Sequence, residues 1–227
     1  MFHWLEQRPF FFAVALFLTV AFAGIIEIIP DFGKQSQPTV GTKPYSVLEL
    51  AGRHVYIKDS CNACHSQLIR PFKSETDRYG MYSISGEYAY DRPFLWGSKR
   101  TGPDLMRVGN YRTTDWHENH MFEPSAVVPG SIMPAYKHQF TNKADLDTAY
   151  AEAYTVKTVF ATPYDQDLDG DGKIDVELGD YNTAIAKAKE DAKAIAAGMK
   201  NEAIKAEVEQ GKIPEIVALI AYLNSLK

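Results

Sequence analysis

Two cysteines occur in 227 residues, and they stand three positions apart with a histidine directly behind them: Cys61-Asn62-Ala63-Cys64-His65. No other feature restricts the chain as much. Two thiols cannot build a disulfide framework for a chain of this length. C-x-x-C-H is instead the spacing at which both thiols add to the vinyl groups of a haem while the histidine ligates its iron. Three other readings compete for the same residues. A zinc site needs two further ligands close by and has no further cysteine to draw on. A thioredoxin-like pair expects a βαβ setting, whereas residues 45–59 carry a helical pattern, with Leu48, Gly52, Val55 and Tyr56 on one face. A disulfide across so short a loop constrains little.

The segments downstream supply the rest of a haem site. Thr101-Gly102-Pro103-Asp104-Leu105 follows the motif. In small cytochromes c a Gly-Pro-x-Leu segment crosses the haem face that carries the histidine. The proline carbonyl there accepts the imidazole's second N–H and fixes the ring, which makes Pro103 the expected partner of His65. The sixth iron ligand comes from Met81, Met106, Met121, Met133 or the histidines. Met133 is the expected one, because Pro129-Gly130-Ser131-Ile132-Met133-Pro134 holds it in a loop that cannot be helical at Ile132. Core packing is the alternative for any single methionine. His117 and His120, three apart, leave bis-histidine ligation or a metal pair open, although a surface or structural role suits both better. His/Met ligation saturates the iron, raises its potential and suits electron transfer. Residues 213–226 form an amphipathic helix with Ile213, Ile216, Val217, Ile220 and Leu223 on one stripe. Gly52 would let it approach closely at an aromatic such as Tyr222.

Near the amino terminus, residues 10–26 carry no charge; Glu27 interrupts, and Ile28 and Ile29 extend the run to Pro30. A bilayer core of about 30 Å takes roughly 20 helical residues, so the segment is long enough to span. Pro9 suits its start and Pro30 its stop, and Trp4 suits an interfacial anchor. Ala21-Phe22-Ala23 has the small-x-small form of a signal cleavage site. The apolar run continues past that cut behind a single arginine, however, which favours a retained anchor. A buried core helix is the third reading, and nothing later is apolar enough all round to bury it. Arg8 beside Glu6 orients the segment only weakly. With 45% hydrophobic and 23% charged residues the chain is not disordered. Its net charge of −5 argues against nucleic acid as a partner. The acidity is concentrated in residues 141–227, which carry 10 Lys+Arg against 16 Asp+Glu.

The haem segment continues Ser66-Gln67-Leu68-Ile69-Arg70-Pro71-Phe72. Glu75-Thr76-Asp77-Arg78-Tyr79-Gly80, then Gly86-Glu87-Tyr88-Ala89-Tyr90-Asp91-Arg92-Pro93-Phe94-Leu95-Trp96-Gly97-Ser98-Lys99-Arg100, and Trp116-His117-x-x-His120 follow. Over residues 1–140 and the closing helix the chain resembles the membrane-anchored mono-haem subunit of cbb3-type cytochrome c oxidases, the CcoO or FixO family. The resemblance implies a mainly α chain. Its parts would be a single transmembrane helix (1–30), a linker (31–44) and a class I-like cytochrome c domain (45–140 with 211–227), interrupted by a helical insertion (141–210) that the resemblance does not itself call for. It implies one covalent haem c on Cys61 and Cys64, with His65 and Met133 as axial ligands. Arg92, Trp96 and Arg100 are candidates for the haem propionates, since cations and aromatic N–H groups suit a buried carboxylate. The implied role is electron transfer without catalysis or a small-molecule substrate of its own. Electrons pass from a dihaem cytochrome c subunit, or a soluble cytochrome c, to the catalytic haem–copper subunit. Haem c attachment puts residues 31–227 in the periplasm of a bacterial cytoplasmic membrane, with the amino terminus inside. A free membrane-anchored shuttle shares the iron site and is the alternative. A haem peroxidase or sensor needs an open iron position.

The insertion stands outside that resemblance. Residues 145–160 read as one helix and 181–209 as a long Ala/Lys/Glu-rich one with opposite charges on neighbouring turns. Between them, Asp167-Leu168-Asp169-Gly170-Asp171-Gly172-Lys173-Ile174-Asp175 fits the first nine positions of a calcium loop (165–180). Carboxylates come from Asp167, Asp169, Asp171 and Asp175, the sharp turn from Gly172, and a backbone carbonyl from Lys173. Position 12, where a bidentate Glu belongs, is Leu178. A solvated acidic turn is the competing reading.

Overall fold

The computed structural model describes residues 2–33, 38–97 and 99–227, so Ser98 and residues 34–37 of the expected linker lie outside them. The helices are α1 (Phe2–Glu6), α2 (Pro9–Gly33), α3 (Val47–Lys58), α4 (Lys73–Tyr79), α5 (Thr114–Phe122), α6 (Pro124–Val127), α7 (Leu146–Phe160), α8 (Tyr181–Ala197), α9 (Glu202–Glu209) and α10 (Glu215–Ser225). Among the described residues there is no strand, only one isolated bridge between Lys143 and Pro214. Pro9 opens α2 where its missing N–H costs nothing. Pro30 does not stop it, and the helix winds on to Gly33. Proline forfeits one backbone bond but holds φ in the helical range, so a helix already wound can pass through it. Within α2, Pro9–Ile29 is long and apolar enough to cross a membrane, and none of it is buried in the protein.

The core is built on the crossing of α3 and α10. Ser46 starts α3 with a capping box: its hydroxyl accepts from the Glu49 N–H at 3.3 Å, and Glu49 accepts from the Ser46 N–H at 2.7 Å. A Cβ placed on Gly52 would lie 1.9 Å from the Ala218 carbonyl oxygen and 2.9 Å from Tyr222 Cβ, so only glycine permits this approach. Tyr222 fills the crossing, with ring centroids 5.5 Å from Tyr56 and 5.6 Å from Tyr45. The single apolar stripe expected for the last helix is an underestimate. Every residue from Ile216 to Leu223 is buried, because α3, α5 and α8 cover α10 on different sides.

The insertion packs into this same core. Asp145 caps α7 and Asp180 caps α8, each accepting a backbone N–H three residues on. Ala149 and Ala153 of α7 and Ala184, Ala188, Ala192 and Ala196 of α8 are buried in it, small side chains that let helices lie close. The ends of the insertion are pinned together, Ala144 N–H donating to the Ile213 carbonyl and Glu215 N–H to the Asn142 carbonyl, each at 2.9 Å. The expected single helix over 181–209 is two. Gly198 closes α8, and the Asn201 side chain caps α9 by accepting from Ala203 and Ile204. Glu118 of α5 accepts from the backbone N–H groups of Lys200 at 2.7 Å and Asn201 at 3.0 Å. The break therefore leaves those donors satisfied, which helical periodicity alone does not reveal.

Candidate functional site

After α3 the backbone reverses through Ser60, at φ 57, into a tight turn over Cys61–Ala63. The His65 N–H donates to the Cys61 carbonyl at 2.9 Å, which ties the histidine back to the turn. Both thiols are free, Cys61 buried and Cys64 exposed. Burial pushes the Cys61 thiol up to about 12, with Asp59 adding to it. A dithiol redox centre works through a depressed thiol pKa, and the Cys61 thiol is shifted the other way.

His65 Nδ1 lies 2.8 Å from the Pro103 carbonyl oxygen. A carbonyl only accepts, so Nδ1 carries the proton and Nε2 keeps its lone pair for a metal. Burial holds the ring's pKa below its usual value, against the opposing pull of the Pro103 carbonyl. Gly102 makes the contact possible: a Cβ there would sit 2.2 Å from His65 Cε1. Main-chain bonds fix the crossing, Gly102 N–H to the Cys64 carbonyl at 3.0 Å and Leu105 N–H to the Ser66 carbonyl at 2.9 Å.

Behind this segment lies a charged knot. The buried Asp104 carboxylate accepts from Ser66 Oγ at 2.7 Å and from the N–H groups of Leu68 and Met106 at 2.8 Å each. Arg100 donates to Ser66 Oγ at 2.6 Å, the Leu68 carbonyl at 2.7 Å and Glu75 at 2.8 Å. The Arg100 guanidinium, with Arg70 in support, holds the Glu75 carboxyl down at about 2. A depressed carboxylate contributes stability above its unfolded value of about 4.3 and loses it as pH falls towards its folded one. Acid titration of the unfolding midpoint should therefore show a loss between about pH 5 and pH 2 that Glu75→Gln flattens. An unchanged profile in that variant would remove the knot from the stability of the site.

His65, Pro103, Cys61 and Met133 all line one cavity of about 370 Å³, within the usual range for a bound organic group. Met121 also reaches it, whereas Met81 and Met106 do not. His117 and His120 of α5 form part of its wall; His117 is fully buried, which leaves the structural role, of the two expected for it, and not the surface one. Burial pushes both rings down to about 4, His120 adding to the shift of His117 and His65 to that of His120. Both ring nitrogens of His117 and Nδ1 of His120 are buried without a hydrogen-bond partner. Trp116 stacks on His120 at 4.5 Å. An apolar slot with a free imidazole lone pair, a thioether in its wall, two thiols in the adjoining turn and orphaned polar atoms fits a haem.

The propionate candidates from the sequence lie elsewhere. Arg92 sits 4.4 Å over the Phe160 ring, Trp96 stacks on Phe94 at 4.6 Å, and Arg100 is committed to the knot. None of the three lines the cavity. Its arginines are Arg78 and Arg112, neither of which is among the sequence candidates.

In the acidic loop, Asp167, Asp169 and Asp175 each offer an oxygen within 4.8 Å of the others. Asp167 accepts from Gly170 at 2.6 Å and Gly172 at 2.8 Å, and Gly172 takes the expected positive φ, 84. Asp171 turns to the Lys173 N–H, Leu178 is buried, and Asp180 caps α8. Asp175 pairs with Lys43.

Residues 2–227 match the family described as the cytochrome c oxidase mono-haem subunit, FixO. The chain belongs to this family. No curated protein matches it. Membership makes it a one-haem subunit of a cytochrome c oxidase, and the exposed apolar helix is long and apolar enough to anchor it in a membrane.

Proposed function

We propose that this FixO chain relays electrons to the catalytic haem–copper subunit of a cbb3-type oxidase and catalyses nothing alone. The observation that carries the reading is the convergence of Cys61, His65, Pro103 and Met133 on one cavity. Cys61 and Cys64 would hold the haem covalently, and His65 and Met133 would ligate its iron. When bound, the haem supplies a one-electron iron couple of raised potential. The chain does the rest. Pro103 fixes the His65 tautomer, Gly102 lets the backbone cover the ring, and the apolar wall from α10 keeps water away. The orphaned nitrogens of His117 and His120 favour a second reading, a histidine as sixth ligand; replacing Met133 separates the two.

The dihaem subunit is the proposed donor. Haem c attachment places residues 38–227 in the periplasm, with α2 in the inner membrane and the amino terminus in the cytoplasm. Purification in detergent tests the assignment: a subunit brings integral partners and b-type haem absorption with it, whereas a free shuttle elutes alone.

The acidic loop is proposed to bind calcium through Asp167, Asp169 and Asp175, with Asp171 and the Lys173 carbonyl completing the set. Without a bidentate group at position 12 the affinity falls in the weak class, about 10⁻⁴–10⁻³ M. Calorimetric titration of the purified complex should give heat that Asp167→Asn removes. Titration of the unaltered complex without heat would leave the loop a solvated turn tied down by Lys43.

A further inference from the structure

The cavity wall holds two cations and no carboxylate: Arg78, at the end of α4, and Arg112, just before α5. Arg70, Arg100 and Arg107 each pair with a glutamate, whereas Arg78 and Arg112 form no ion pair among the described residues. Aromatic faces hold both in place. Arg78 lies 5.0 Å over Tyr79, and Arg112 lies 4.2 Å over Trp116 and 5.5 Å over Tyr111. Two guanidiniums at an apolar slot, without counter-ions, are a prepared site for two carboxylates.

A haem carries its vinyl and propionate edges on opposite sides of the ring, so its propionates lie away from the thiols. Arg78 and Arg112 line the cavity together with Tyr79 and Tyr111, and the Tyr111 hydroxyl feels Arg112, Asp104, Tyr79 and Arg78. This part of the wall opens to solvent, since Arg78, Tyr111 and Arg112 are all exposed. We propose that Arg78 and Arg112 bind the two haem propionates, one at each side of the exposed edge, with Tyr79 and Trp116 as the platforms that aim them. This rests on the haem reading above, and it replaces Arg92, Trp96 and Arg100 in that role.

The test uses the purified oxidase with Arg112→Gln, Arg78→Gln, Arg112→Lys and, as a charge control, Lys73→Gln on the exposed face of α4. Haem staining after denaturing electrophoresis comes first, since covalent attachment does not depend on the arginines. The midpoint potential of the c-type haem is then followed against pH. A carboxylate beside an arginine titrates about one to three units low. Each Gln variant should therefore lower the potential and move its pH-dependent region up by about one unit or more. Arg112→Lys and Lys73→Gln should leave that region in place. Stained Gln variants whose pH profile overlays the unaltered enzyme would overturn the proposal, as would an equal shift in Lys73→Gln. Absence of stain in the unaltered chain would instead defeat the haem reading itself.

Discussion

Gly52→Ala should strongly destabilise the haem domain. The new methyl carbon would lie 1.9 Å from the Ala218 carbonyl oxygen, which belongs to the backbone of α10 and has no rotamer to move aside. The two helices would have to part at the centre of the core, where Tyr222, Leu219 and Ile220 are fully buried. Overpacking usually costs about 1–3 kcal/mol, and a backbone–backbone clash belongs at or beyond the top of that range. A domain stable by about 5–15 kcal/mol loses a large share of its margin from one methyl group. Thermal unfolding of the purified complex checks this, with Gly24→Ala in α2 as the comparison, since nothing lies within 4 Å of a Cβ there. An unfolding midpoint for Gly52→Ala within a degree or two of the comparison would show that α3 and α10 do not cross as described.

Met133→Leu should keep the haem and lose its high potential. Leucine preserves bulk and apolarity, so the loop around Pro134 and the wall against α10 stay filled. Only the sulfur lone pair is removed. The variant should stain for covalent haem, lose the methionine–iron charge-transfer band and titrate at a lower potential. Its reduced form should also bind carbon monoxide, which the unaltered subunit should not. Retention of the band would exclude Met133 as the ligand. Loss of haem-site saturation in His120→Leu but not in Met133→Leu would establish the histidine alternative.

The contacts of the candidate site that the sequence anticipated are those that depend on local spacing. Cys61 to His65 is one turn of chain, and Gly102-Pro103 covers the ring because its two residue types do different jobs there, one yielding space and one presenting a carbonyl. Gly52 was legible for a similar reason: a glycine on an apolar helical face implies a close neighbour. What escaped depends on tertiary placement. Arg78 and Arg112 are 34 positions apart in the sequence and line one cavity only because α4 and the turn before α5 both reach it. Arg100 looked suited to a propionate because a cation suits a buried carboxylate, yet the carboxylates it meets are Glu75 and Asp104. The break at Gly198 escaped because its satisfaction comes from Glu118, on a different helix.

Calcium binding and the propionate contacts could both fail without disturbing the main account, which needs a haem joined to this chain. The most direct measurement is the intact mass of the subunit, separated by denaturation from the oxidase made in a host that matures c-type cytochromes. The account predicts the polypeptide plus one haem, and the bare polypeptide for the double variant Cys61→Ala with Cys64→Ala. A bare polypeptide from the unaltered chain would contradict it.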